Sequence, residues 1–183
     1  MILGLVYVAV LASVLLAGGK LSSLADIRLR RSWLALAAIV VQVGVISLLP
    51  GGFHTLHAGL HLLSYGLLGA FAWSNRRLAG VPVIAFGGLL NFIAIAANRG
   101  VMPTDPHAAA SLAHATRAGD FANSAVLAHP RLWFLGDVVG TPASWPIHNV
   151  FSIGDLVIVL GVAVLVHVAC ASRLGRIGRP ALA

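Results

Sequence analysis

The chain has 183 residues, 59% of them hydrophobic and 9% charged, with a formal net charge of +7. A water-facing domain is usually about one quarter charged, so this composition argues against one. The basic residues flank apolar runs and no nucleic-acid motif accompanies them, which excludes nucleic acid as an expected partner.

Apolar runs fall near residues 2–19, 33–49, 56–73, 81–97 and 150–171. Each approaches the roughly 20 residues that cross a hydrocarbon core. The expected fold class is all-α: one domain over residues 1–183, a polytopic transmembrane helical bundle of about five spans. The first run is followed by Lys20 and has no positive charge ahead of it, so it reads as a retained span and not a cleaved signal. The first connection carries Lys20, Arg28, Arg30 and Arg31, the third Arg76 and Arg77, and the tail Arg173, Arg176 and Arg179. The opposite connection, "PGGFHTLH", has no Lys or Arg. That asymmetry predicts an N-terminus outside and a C-terminus inside the cytoplasmic membrane of a bacterium. The lone Cys170 reads as a small apolar helix residue.

Residues 98–149 form the long connection between the fourth and fifth runs, expected to be a helical extracytoplasmic lid. Asp105 and Pro106 open a predicted short helix, and Gly119 can stop it. Trp133 and Trp145 suit a headgroup layer.

The residues with chemistry gather towards this outer side. Asp137 and Asp155 each stand in an apolar context, and paired carboxylates split their acidities, as aspartyl hydrolysis requires. Ser152 and Asp155 also fit a helix capping box, which explains Asp155 without catalysis. Arg99 and Asn98, with His148 and Asn149, are candidates to position a substrate; Arg99 or Arg131 can alternatively pair with Asp137. His57 and His61 are four apart on one helical face, and His114 supplies a possible third metal ligand, so metal or haem binding is a further reading. Gln42, Ser64 and Asn91 are expected to bond between helices.

The pattern "NRGVMP", a long connection and then "SIGD" resembles a family of small bacterial multi-pass membrane proteins of unknown function. The resemblance implies a helical, polytopic fold and no activity. The stretch "GDVVGTPASWPIHNVFSIGDLVIVLG" is also similar in layout to the end of lipoprotein signal peptidases. By position, that likeness implies Asp137 as the first catalytic acid and Asp155 as the second, with Asn149 near the family's asparagine. The departures are a longer Asn149–Asp155 spacing and only "GGLLNF" where the family has its "GNxxDR" segment.

The function expected from the sequence is an accessory, ligand-binding or transport-related membrane component with a polar outer-face site. A membrane-embedded aspartyl hydrolase or peptidase using Asp137 and Asp155 is the alternative. The expected partners are the lipid bilayer and either a membrane protein or a second copy of the chain; no cofactor is specified.

Overall fold

The structure is a computed structural model that describes residues 2–48, 54–110, 124–141 and 149–176. Five long helices dominate it: α1 (Ile2–Leu16), α2 (Ser32–Leu48), α3 (His54–Ser74), α4 (Val81–Ala97) and α6 (Ile153–Ala169), with a short α5 (Pro106–Ala110). Packing runs α2 on α3, α3 on α4, α4 on α6 and α6 on α1.

The α4–α6 contact is set by glycine. A Cβ on Gly87 would lie 2.8 Å from the Ile158 nitrogen, and one on Gly161 would lie 2.6 Å from the Ile84 nitrogen. Gly80 meets Gly161 and Gly87 meets Gly154, so the helices run antiparallel with their backbones in direct contact. Both glycine pairs are seven residues apart, two helical turns, which keeps them on one face.

The far end of α6 is clasped by α1. Val14, Val166 and Cys170 form a buried cluster, and backbone bonds run from Lys20 N to Cys170 O and from Arg173 N to Ala17 O, each 3.0 Å. His167 lies between Ser13 and Ser172, at 3.0 Å from its Nε2 and 2.7 Å from its Nδ1. The Ser13 hydroxyl donates to Val10 O, so Nε2–H donates to Ser13 and Nδ1 accepts from Ser172. That arrangement is a satisfied, structural histidine.

Two asparagines at helix ends hold distant backbone. Asn75 brackets Arg30, accepting from its N–H at 2.8 Å and donating to its carbonyl at 2.9 Å. Asn98 does the same for Arg131, at 2.8 Å in both directions. Each amide imitates one rung of a β-ladder.

Beyond α4 the chain forms four short strands: β1 (Met102–Pro103), β2 (Ser124–Ala125), β3 (Asp137–Gly140) and β4 (Val150–Ser152). β1 pairs with β2 in parallel, β3 pairs with β4 antiparallel, and a Thr104–Asp137 bridge links the two small sheets. Asp105 Oδ1 caps α5, accepting from the amides of His107 and Ala108.

The structure corrects three expectations. The fold is not all-α, because the connection after α4 builds these strands. Nor is it a polytopic bundle: among the described residues no helix is long and apolar enough to cross a membrane. α1 has 15 residues, and α2, α4 and α6 have 17 each. At about 1.5 Å per residue they fall short of a hydrocarbon core about 30 Å thick. α3 has 21 residues but carries His57, His61 and Ser64, all buried within the protein. The expected location in a bacterial cytoplasmic membrane, its multi-pass topology and the outward lid lose their support with the spans. The outer faces of the helices nonetheless expose large apolar side chains, among them Leu36, Ile39, Val40 and Val43 of α2.

Candidate functional site

Where α3, α4 and the N-terminus of α6 meet the two small sheets, they frame a partly open cavity of about 280 Å³. Gln42 lines it from α2, His61 and Tyr65 from α3, Asn91 from α4, Ser124 from β2, Asp137 from β3 and Asp155 from α6. Ile95, Met102 and Val150 also line it, and among the described residues no lysine or arginine does.

Asp155 is fixed by local and long-range bonds together. Ser152 is the N-cap of α6: its hydroxyl accepts from Asp155 N, while Asp155 Oδ2 accepts from Ser152 N, each at 3.0 Å. The same hydroxyl donates to Asn91 Oδ1 at 2.8 Å, and Asn91 Nδ2 donates to Asp155 Oδ1 at 2.9 Å. Cap and carboxylate are thereby tied to α4 in one closed ring. The capping reading of Asp155 and its place in the cavity hold at once.

Asp137 opens β3 opposite Ser152, beside an irregularity in the ladder between Asp137 and Val139. Such bulges re-aim the neighbouring side chain. Asp137 is 8% exposed. Burial pushes its carboxyl up to about 6; a hydrogen bond from Ser124 opposes the rise and the charge of Asp155 adds to it. Among the described residues neither Asp137 nor Asp155 forms an ion pair. Arg99 is an exposed residue in a left-handed turn (φ 58°), and the Arg131 backbone is held by Asn98.

The acidity of Asp137 has a consequence for stability. Its ordinary value is 3.8 and its folded value about 6, so the folded state holds the proton more tightly. Stability from this group is complete below about pH 4 and is lost as pH rises through 6. The difference of about two units is worth up to about 3 kcal/mol, reduced to about 2 by solvent in the cavity. Asp137→Asn is therefore expected to match the parent protein near pH 4 and to exceed it by about 2 kcal/mol at pH 8, measured by urea unfolding at both pH values. An equal difference at both would show that Asp137 is not desolvated.

His61 is buried, and its Nδ1 lies 3.1 Å from Gly100 O. A carbonyl only accepts, so Nδ1 carries the proton and Nε2 is the acceptor. Burial lowers its basicity more than the Gly100 bond restores it, which keeps the ring neutral. Its ring lies 5.5 Å from that of Tyr65. Burial, then the charges of Asp155 and Asp137, push the Tyr65 phenol up to about 12, so it stays a hydrogen-bond donor.

The structure thus brings Asp137, Asp155 and His61 to one cavity, and the other expected site residues that are described stand apart from it. Asn98 braces Arg131. Asn149 ends the β3–β4 pair, its N–H donating to Thr141 Oγ1 at 3.0 Å and its Oδ1 accepting from Val150 N at 2.9 Å. His57 is fully buried one turn before His61 and does not line the cavity. His148 and His114 lie outside the described residues. Among the described residues no three His, Cys, Asp or Glu side chains are placed to hold a metal ion. "NRGVMP" has a structural use: Gly100, at φ 94°, lies against Ala58, where a Cβ would come within 2.7 Å of the Ala58 Cα.

Tyr65 and Ser124 are site residues that the sequence did not disclose. Tyr65 follows His61 by one helical turn, a spacing that could have flagged it. Ser124 carried no signal, since a two-residue strand has no periodicity.

No curated protein and no solved structure matches the chain significantly. Residues 26–167, which include every cavity residue, match DUF5317, a family of unknown function, and the chain belongs to that family.

Proposed function

We propose that this protein binds a small molecule non-covalently in the cavity between α3, α4, α6 and the paired strands. The observation that carries the reading is that two carboxylates, Asp137 and Asp155, face one partly open cavity whose described lining holds no lysine or arginine. Asp137 is buried and Asp155 half-buried, and carboxylates so placed are ordinarily paired, so a cavity lined by both favours a ligand that answers their charge. Its volume, about 280 Å³, is at the lower end for ligand sites and suits a metabolite better than a polypeptide. A protein partner or a second copy of the chain belongs to the same proposal, supported by the exposed apolar face of α2.

The test is a thermal-shift screen of the purified protein against a metabolite library, run beside Val150→Trp, which fills the cavity from β4. Ligands are expected to raise the melting temperature of the parent by several degrees and leave Val150→Trp unmoved. A screen in which every stabilising compound acts equally on both proteins refutes the reading.

The weakened acidity of Asp137, in the same cavity as Asp155, favours a second reading, acid–base hydrolysis, in line with the signal-peptidase-like order of the two acids. Asp137 would protonate a leaving group and Asp155 would take a proton from water. This reading separates from binding on turnover: product must form from a bound ester or amide, and Asp137→Asn must stop it.

A further inference from the structure

The polar atoms left open in the cavity say what its occupant must offer. Asn91 is held through both amide atoms, its carbonyl accepting from Ser152 and one N–H donating to Asp155. Gln42 is half engaged: Nε2 donates to Ser64 Oγ at 2.9 Å, and Ser64 donates to His61 O at 2.6 Å. Because the Ser64 hydrogen is committed to that carbonyl, the Gln42 contact must come from its NH2 side, which leaves Oε1 open. His61 is only 4% exposed and has spent Nδ1 on Gly100 O; Nε2 has no hydrogen-bond partner among the described residues. This acceptor faces the cavity from a buried ring and is independent of the carboxylates.

The acceptors that retain lone pairs are therefore the carboxylates of Asp137, which accepts from Ser124, and of Asp155, which accepts from Asn91 and Ser152, together with Gln42 Oε1 and His61 Nε2. Two of them carry charge. Among the described residues the donors that remain are the Tyr65 hydroxyl and the second N–H of the Asn91 and Gln42 amides. An anion meets repulsion here, and a neutral polyol leaves both charges uncompensated. A divalent metal ion needs its ligands to converge on a point, and no three of the described His and Asp groups do so. A primary ammonium brings three N–H donors and a positive charge, and its alkyl chain can lie against Ile95, Met102 and Val150.

On the reading that the cavity binds a small molecule, we propose that its ligand is an organic ammonium ion, most favourably a short diamine whose two charges answer Asp137 and Asp155. Binding then draws a proton off Asp137, and affinity rises with pH through the range where that group titrates.

Three probes of matched length decide this: 1,4-diaminobutane, 1,4-butanediol and succinate, titrated calorimetrically into the full-length protein at pH 5 and pH 7.5. The diamine is expected to bind at least tenfold more tightly than the diol at pH 7.5, succinate to give no signal, and the diamine to weaken about tenfold at pH 5. Asp137→Asn, which loses a buried charge and keeps its fold, is expected to bind the diamine about tenfold more weakly and to lose the pH dependence. Diol or succinate binding as tightly as the diamine overturns the ammonium assignment and leaves the small-molecule reading standing. Absence of binding by all three probes also overturns it, while the library screen with Val150→Trp judges the small-molecule reading separately.

Discussion

Gly154→Ala is expected to cost the protein about 3 kcal/mol or more, a large share of the about 5–15 kcal/mol that holds a typical domain folded. The new methyl would lie 2.6 Å from Asn91 Cγ and 2.7 Å from Gly87 O, and closer still to Asn91 Oδ1. Overpacking a core commonly costs about 1–3 kcal/mol when side chains can yield. Here one obstacle is helix backbone and the other is an amide committed to Ser152 and Asp155, so neither yields cheaply. Gly88→Ala is the control. It lies on the same contact partner, α4, with nothing within 4 Å of its added Cβ. Alanine there is expected to be neutral or to gain about 0.5–1 kcal/mol from helix propensity alone. Urea unfolding of both variants measures the contrast. Equal effects would mean that α4 and α6 do not touch through their glycines.

Asn91→Leu is expected to cost about 3 kcal/mol with little change in volume. It removes the donor to Asp155 and the acceptor for Ser152, and both partners remain buried or half-buried. A neutral buried group left unsatisfied costs about 1–3 kcal/mol and a charged one more. The assignment is checked by a double-mutant cycle with Ser152→Ala. Ser152→Ala alone loses the N-cap, worth about 1 kcal/mol, as well as its bond to Asn91. The two losses are expected to be non-additive by at least about 1 kcal/mol, because the residues share one bond. Strict additivity would break the proposed ring.

What could be read from the sequence was local. The Ser152–Asp155 box is a three-residue pattern, and the structure makes both of its bonds. Asn91 and Gln42 were legible as interhelical bonders because polar residues within apolar helices need partners. The spans failed on length, for identifiable reasons. The run at 2–19 stops being helical at Leu16, ahead of Gly18 at φ 72°, and the run at 150–171 gives its first three residues to β4. Hydrophobicity alone does not tell a helix from the short buried strand that feeds it. The roles of Arg99, Asn98 and Asn149 were illegible for another reason. Their partners, Arg131 among them, are set by how the chain after α4 folds back, which single-sequence spacing does not encode.

α6 is gripped at both ends: Asn91 secures its first turn, and Ser13, Ser172 and the Lys20–Cys170 backbone bond secure its last. It is a strut, and Asp155 at its tip is a stationary pole. Asp137 is the compliant pole, mounted on a strand of four residues that hangs from a few ladder bonds. Any breathing of the cavity is thus a change in the gap between the two charges, so the electrostatics of the pocket are geared to its shape.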